Sequence, residues 1–257
     1  MIIFPTSQLP SFPKRIISLV PSQTELLYNL HLNEEVIGIT KFCIHPRQWF
    51  LSKKRIGGTK NINIKLINEL NPDLIIANKE ENDKLQIDEL ARHHNIWITD
   101  VKNLHDALQM IGDIGQLTGK QLEATNLTQQ ISKNFNQLIP TPQIPAAYLI
   151  WKDPYMTIGF DTFINDMMKK CGLNNIFSHK TRYPQITIEQ IKQLNCRLVL
   201  LSSEPYPFKQ EHANKLARLL PNCTICLVDG EYFSWYGSRL LDAPGYFNQL
   251  LQQLQFI

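Results

Sequence analysis

The sequence predicts an α/β protein: two Rossmann-like lobes with parallel sheets, joined by one long backbone helix. Short apolar runs alternate with helical patterns in both halves of the 257-residue chain. That rhythm marks a parallel sheet covered by helices on both faces. Between the halves lies a proline-free stretch with helical apolar spacing, and one segment of the first half recurs in the second. The expected boundaries are a first lobe over 1–103, a linking helix over 104–138 and a second lobe over 139–257.

The first lobe opens with "RIISLV" (15–20), a strand, followed by "PSQTELLYNL". Pro21 near its start, with Ser22 and Glu25 spaced as a capping box, marks this as a helix. "VIGIT" (36–40), "DLIIAN" (73–78) and "IWITD" (96–100) are further strands, with helices around 63–70 and 83–93. From Leu104 to Leu138 apolar residues recur mostly every three or four positions, which predicts one continuous helix. At 1.5 Å per residue it would be roughly 50 Å long. Gly112, Gly115 and Gly119 weaken it, and "IPTPQIP" (139–145) ends it.

In the second lobe "AAYLIW" (146–151), "RLVLLS" (197–202) and "CTICLVD" (223–229) read as strands. Helices fall near 161–171, 187–194, 209–219 and 238–254. "INELNPDLIIANKE" (67–80) aligns without gaps to "IKQLNCRLVLLSSE" (191–204), both running helix end, strand, polar loop.

Lys and Arg number 26 against 23 acids, a net charge of +3 that no basic run concentrates, so nucleic acid is not an expected partner. A monomer is expected. Five scattered cysteines do not form a disulfide framework; Cys223 and Cys226 read as core residues of a buried strand. The start, "MIIFPTSQLPSFPKR", is no secretory leader as written, and no stretch approaches the ~20 apolar residues of a membrane span. Taken literally the chain is cytoplasmic; with a leader already removed it would be periplasmic.

Ligands of open α/β sheets bind beyond the carboxyl ends of the strands. The segments there are rich in rings: Phe42 and Trp49 after 36–40, Trp151 and Tyr155 after 146–150, Tyr206 and Phe208 after 197–202. "DGEYFSWYGSR" (229–239) adds Tyr232, Phe233, Trp235, Tyr236 and Arg239. Each ring alone is ordinary packing; together they outline an apolar small-molecule site. His45 is a candidate polar group beside them. No nucleophile elbow, phosphate loop or zinc-protease motif is present. Cys43 and His45 form the best metal-type pair, but a closed zinc site needs two more ligands, so no structural zinc is expected there. A metal-dependent enzyme using that pair is the rival reading.

"RIISLVPSQTELLYNLHLNEEVIGIT", "INELNPDLIIAN", "TFINDMMKKCGLNNIF" and "YPQITIEQIKQLNCRLVLLSS" resemble the class III periplasmic binding proteins, the helical-backbone metal-chelate receptors. The similarity runs from Arg15 over almost the whole chain and is nearest to the cobalamin-binding members. It implies two Rossmann-like lobes bridged by a helix, no catalysis, no intrinsic cofactor, and a cobalamin, haem or ferric siderophore held between the lobes. It places cleft rings near Phe42, Trp151 and Tyr232 to Trp235. The polar Lys60 and Asn78 fall where the cobalamin-binding members carry tryptophans; with Lys79 and Arg239 nearby, that implies a more anionic ligand, such as a ferric chelate or a carboxylated tetrapyrrole. An ABC permease is the implied partner, docked through one acid per lobe. Glu189 matches the second-lobe acid, whereas Lys65 stands where the first-lobe acid belongs, which reverses the charge.

Overall fold

The computed structural model describes residues 2–3, 9, 11–139 and 143–255, and the chain forms two compact units. The first comprises the chain through Val101, His105–Ile131 and Tyr236–Arg239. The second comprises Lys102–Leu104, Ser132–Trp235 and the chain from Leu240 onward. Much of the opening segment read for a leader, and positions 140–142 of the expected helix stop, lie outside the described residues.

The first unit carries strands β1 (Ile2–Ile3), β2 (Ile16–Ser18), β3 (Val36–Ile39), β4 (Lys54–Arg55), β5 (Leu74–Asn78) and β6 (Ile96–Thr99). They form one sheet in the order β1-β6-β5-β2-β3-β4, with every pairing parallel. Successive strand residues point to opposite faces, so burial at every position of β2 and β5 means that both faces are covered. That is why these strands read as unbroken apolar runs. The two-residue strands β1 and β4 at the edges carry no such run and were not expected.

Helices α1 (Pro21–Asn29), α2 (Arg47–Ser52), α3 (Ile64–Leu70) and α4 (Lys84–Leu90) connect the strands. The expected Ser22/Glu25 capping box does not form. Val20 is the N-cap and Pro21 the first helical residue, so Ser22 already lies inside the helix, and Glu25 binds elsewhere.

The single helix expected over 104–138 is two helices, α5 (Leu104–Thr118) and α6 (Gln121–Phe135). Gly119 takes a left-handed φ of 73°, and Lys120 N–H returns to the Gly115 carbonyl at 2.7 Å, a Schellman C-cap. The chain then turns so sharply that a Cβ on Gly115 would lie 2.5 Å from the Ala124 methyl. Apolar spacing continued across the break because both helices bury a stripe; the glycines, not the spacing, decided where helix ended.

The second unit contains α7 (Phe163–Lys170), α8 (Ile188–Gln193), α9 (Gln210–Leu219), α10 (Glu231–Ser234) and α11 (Ala243–Gln253). Its strands β7 (Ile144–Leu149), β8 (Leu173–Asn175), β9 (Leu198–Ser202) and β10 (Thr224–Val228) form a parallel sheet ordered β10-β9-β7-β8. β9 is buried throughout. β10 is an edge strand with Thr224 and Leu227 exposed, which corrects the expectation of a buried strand: Cys223 and Cys226 are half-buried. The helix expected over 238–254 starts as a 3-10 turn, Ser238–Leu241; α11 proper follows, with Pro244 in its first turn, where a missing N–H costs nothing.

The internal repeat is structural. α3 and α8 begin 124 positions apart, each capped by a side chain, Asn63 or Thr187, that accepts the backbone N–H three residues on. Asn71 and Asn195, again 124 apart, both end their helix in left-handed backbone. β5 and β9 follow at the same offset with the same length. Lys65 and Glu189 occupy the same exposed second helical position of the two copies.

Gly119→Ala places a Cβ in left-handed backbone and against the Phe12 ring at 3.0 Å. It is expected to destabilise the protein by about 1 kcal/mol or more, read as a lower urea midpoint at unchanged slope.

Candidate functional site

In the first unit the carboxyl edge of the sheet is knitted by buried amides and hydroxyls. Asn78 is 3% exposed; its Nδ2 donates to the Thr99 carbonyl and hydroxyl at 3.1 Å, and its Oδ1 accepts from Glu80 N–H and Glu81 N–H. Asn82 accepts from Asn78 N–H and donates to the carbonyls of Leu19 and Thr59. Gln23 on α1 donates to the Thr99 hydroxyl at 2.6 Å. Strand ends expose carbonyls and N–H groups with no strand partner, and in the interior those groups need side-chain partners. Asn78 is thus a brace of the sheet edge rather than a surface group, which corrects its candidacy as a ligand contact.

The cations expected to greet an anion are engaged inside the unit. The Lys60 ammonium donates to the carbonyls of Glu80 and Asn82, and Lys79 pairs with Asp100 at 3.0 Å. Arg239 makes a two-pronged bond to Glu25: Nη2 to Oε1 at 2.7 Å and Nε to Oε2 at 3.2 Å. Both side chains are largely buried, 14% and 17% exposed, so the guanidinium that was expected to clamp a ligand carboxylate already holds one. Tyr236, 7% exposed, belongs to this unit.

Phe42 stands in the open, 52% exposed, at the end of β3, with the Lys41 ammonium 5.2 Å from its ring centre. The neighbouring Cys43 is fully buried, its Sγ 3.1 Å from the Thr24 hydroxyl and 3.2 Å from that of Thr40. Burial pushes this thiol up, against the thiolate a metal requires. His45 is half-buried beside it. Among the described residues no group of three His, Cys, Asp or Glu side chains converges to hold a metal ion. Trp49 is core, its indole N–H bonded to Asn33 Oδ1 at 3.2 Å.

In the second unit the rings at the carboxyl edge fall into two groups. Trp151, 41% exposed after β7, meets Tyr206 edge to face at 5.7 Å. Tyr206 in turn packs on Phe208 at 4.8 Å, and its hydroxyl lies 3.3 Å from His212 Nε2. His212 Nδ1 accepts Lys209 N–H at 2.9 Å, which leaves the proton of the neutral ring on Nε2, directed at the Tyr206 oxygen. Tyr155, half-buried, packs on the same core as Tyr206. This group presents partly exposed rings on a fixed base.

The second group comes from "DGEYFSW" and is mostly inward. Phe233 is completely buried, against Tyr148 at 5.2 Å and Phe247 at 4.7 Å, so it is a core residue and not a ligand contact. Trp235 is 6% exposed and its indole N–H donates to Glu204 Oε1 at 3.0 Å. Tyr232, half-buried, stacks on Tyr246 at 4.4 Å and 14°. The one-turn helix α10 puts its consecutive rings on different sides.

Glu204 was not singled out from sequence, although its pairing with Glu80 in the repeat was visible. It accepts from the Ser234 hydroxyl at 2.6 Å as well as from Trp235, tying the β9 loop to α10. Burial, followed by the nearby Glu231 and Asp229 charges, raises its pKa despite those two donors.

The comparisons with known proteins agree with this architecture. Residues 16–219 match the periplasmic binding protein family model, and the chain belongs to that family. An uncharacterised ABC transporter substrate-binding lipoprotein, YvrC of Bacillus subtilis, is 28% identical over 196 residues, covering 71% of this chain and 62% of its own length. The vitamin B12-binding protein of Pectobacterium atrosepticum is 27% identical over 95% of this chain and 89% of its own. Among solved structures, the periplasmic vitamin B12 binding protein BtuF of Vibrio cholerae superposes with a TM-score of 0.81 at 23% identity, covering 96% of this chain and 99% of its own. The fold class read from the sequence is that of this structure.

Arg239→Ala is expected to lower stability by about 2–3 kcal/mol in chemical denaturation, since it removes a two-pronged, charge-assisted bond from a largely buried carboxylate. The Glu25→Ala/Arg239→Ala double variant should lose less than the sum of the single changes. For Glu204 the raised pKa means that the folded protein holds the proton more tightly than the unfolded chain. Its contribution is therefore full at low pH and is lost as pH rises above the unfolded value of 4.5 through the folded one. Glu204→Gln should remove that decline from the pH profile of unfolding free energy.

Proposed function

We propose that this chain is the solute-binding component of an ABC-type importer and that its solute is a metal chelate, with a corrinoid the best fit. Trp151 carries the reading: a large ring two-fifths exposed at a strand's carboxyl end, seated edge-on against Tyr206. Tyr155, Tyr206 and Tyr232 of the same unit complete the proposed ligand-facing set there, and Phe42 is the exposed ring at the carboxyl edge of the first unit's sheet. An exposed ring held by its neighbours offers a macrocycle large apolar contact with few rotors to freeze.

The engagement of Lys60, Lys79 and Arg239 favours a ligand without a strong demand for cations, and so a corrinoid over a carboxylated tetrapyrrole. Family membership and the buried, hydroxyl-bound Cys43 favour a binding protein over a metal-dependent enzyme. Binding-protein and lipoprotein relatives favour a location outside the cytoplasm. Glu189, exposed in the first turn of α8, is the proposed contact for a basic side chain of the permease; Lys65 at the equivalent place would need an acidic one.

Titration calorimetry and absorbance spectra with cyanocobalamin, haemin and a ferric siderophore test the reading. Cyanocobalamin should bind, and Trp151→Ala should weaken it by about 1.5–3 kcal/mol, the scale of burying one large apolar side chain. If none of the three binds, or if Trp151→Ala binds as the parent does, the assignment fails.

A further inference from the structure

Cys196 and Cys223 lie at the opposite edge of the second sheet from the rings, where β9 and β10 begin. Thr224 pairs with Leu198, and Thr224 N–H donates to the Arg197 carbonyl at 2.8 Å, so the two lead-in segments run side by side. This register sets Cys223 opposite Arg197, one position from Cys196; an offset of about 3.3 Å across strands about 4.8 Å apart puts the two Cα atoms roughly 6 Å apart, within the roughly 4.4–6.8 Å that a disulfide spans. Both side chains pack on the same core, formed with Phe208, Leu216 and Leu220. The Cys223 thiol reaches the Cys196 carbonyl at 3.0 Å, and the Cys196 thiol reaches the Leu198 carbonyl at 3.1 Å. The other cysteines have no such arrangement: Cys43 is bound by threonine hydroxyls, Cys171 donates to the Met168 carbonyl, and Cys226 points along the edge strand.

We infer that Cys196 and Cys223 are an oxidisable pair that forms an intrachain disulfide, stapling the start of β9 to the start of β10. Cys223 is half-buried and Cys196 is 5% exposed, which fixes the order of events. The Cys223 sulfur, after losing its proton, attacks one sulfur of an external disulfide and displaces a thiolate, which takes up a proton. The Cys196 sulfur, likewise deprotonated, then attacks Cys223 in the mixed disulfide and displaces the second external thiolate. Two protein thiols are oxidised and one external disulfide is reduced to two thiols. Burial pushes Cys196 up to about 12 and also raises Cys223, so uncatalysed exchange is slow. The closed loop contains β9 and α9, and with them the chain that carries Glu204 and Tyr206.

The test is incubation of the reduced, folded protein with oxidised glutathione, then thiol titration and non-reducing peptide mapping. Of the five free thiols, two are expected to disappear, with Cys196 and Cys223 recovered in one linked peptide pair. The oxidised protein should melt about 5–10 °C above the reduced one, as expected for a loop of this length. Cys223→Ser, a conservative change at a half-buried position, should fold and form no bridge. A link from Cys223 to Cys226, a glutathione adduct that persists on Cys223, five thiols retained in a folded protein, or an unchanged melting temperature after bridging would overturn the inference.

Discussion

A parallel sheet covered on both faces leaves polar and ring-bearing residues almost nowhere to go except the ends of its strands. Every interior position of β2, β5 and β9 is occupied by an apolar side chain that water does not reach. Because all strands of a sheet run the same way, their carboxyl ends share one edge. Side chains with chemistry to offer therefore gather there, and each unit handles that edge differently.

In the first unit the edge is closed by its own hydrogen bonds. Asn78, Asn82, Thr99 and Gln23 satisfy the backbone groups that the strands leave behind, and Glu25 neutralises Arg239. Phe42 stands exposed on its short loop. In the second unit hydrogen bonds hold rings instead: His212 fixes the Tyr206 hydroxyl and Glu204 fixes the Trp235 indole. The repeat that relates α3–β5 to α8–β9 thus carries two edges of different character on one backbone plan.

The same division explains how charge is handled. Lys60, Lys79 and Arg239 at the first edge meet carbonyls or carboxylates of their own unit. At the second edge the half-buried acid Glu204 is occupied with two donors. Cys196 and Cys223 lie at the far edge, where β9 and β10 begin.

The sequence by itself determined the fold class, the seven main strands, most helices between them and the repeat. These follow from local rules, apolar runs for covered strands, 3.6-residue spacing for helices, and capping residues at their ends. The candidate site was legible only as a set of strand ends. Which ring at those ends points outward was not, because that depends on partners far away in the chain. Phe233 is inside because Tyr148 and Phe247 surround it, while Trp151, with a similar local sequence setting, is outside. Arg239 lost its candidacy to a carboxylate 214 positions earlier. The break at Gly119 was half legible: the glycines were noted, but apolar spacing runs on through a turn when both helices face a core. Tertiary packing alone decided these points, since burial and ion pairing are properties of pairs that the chain brings together only when folded.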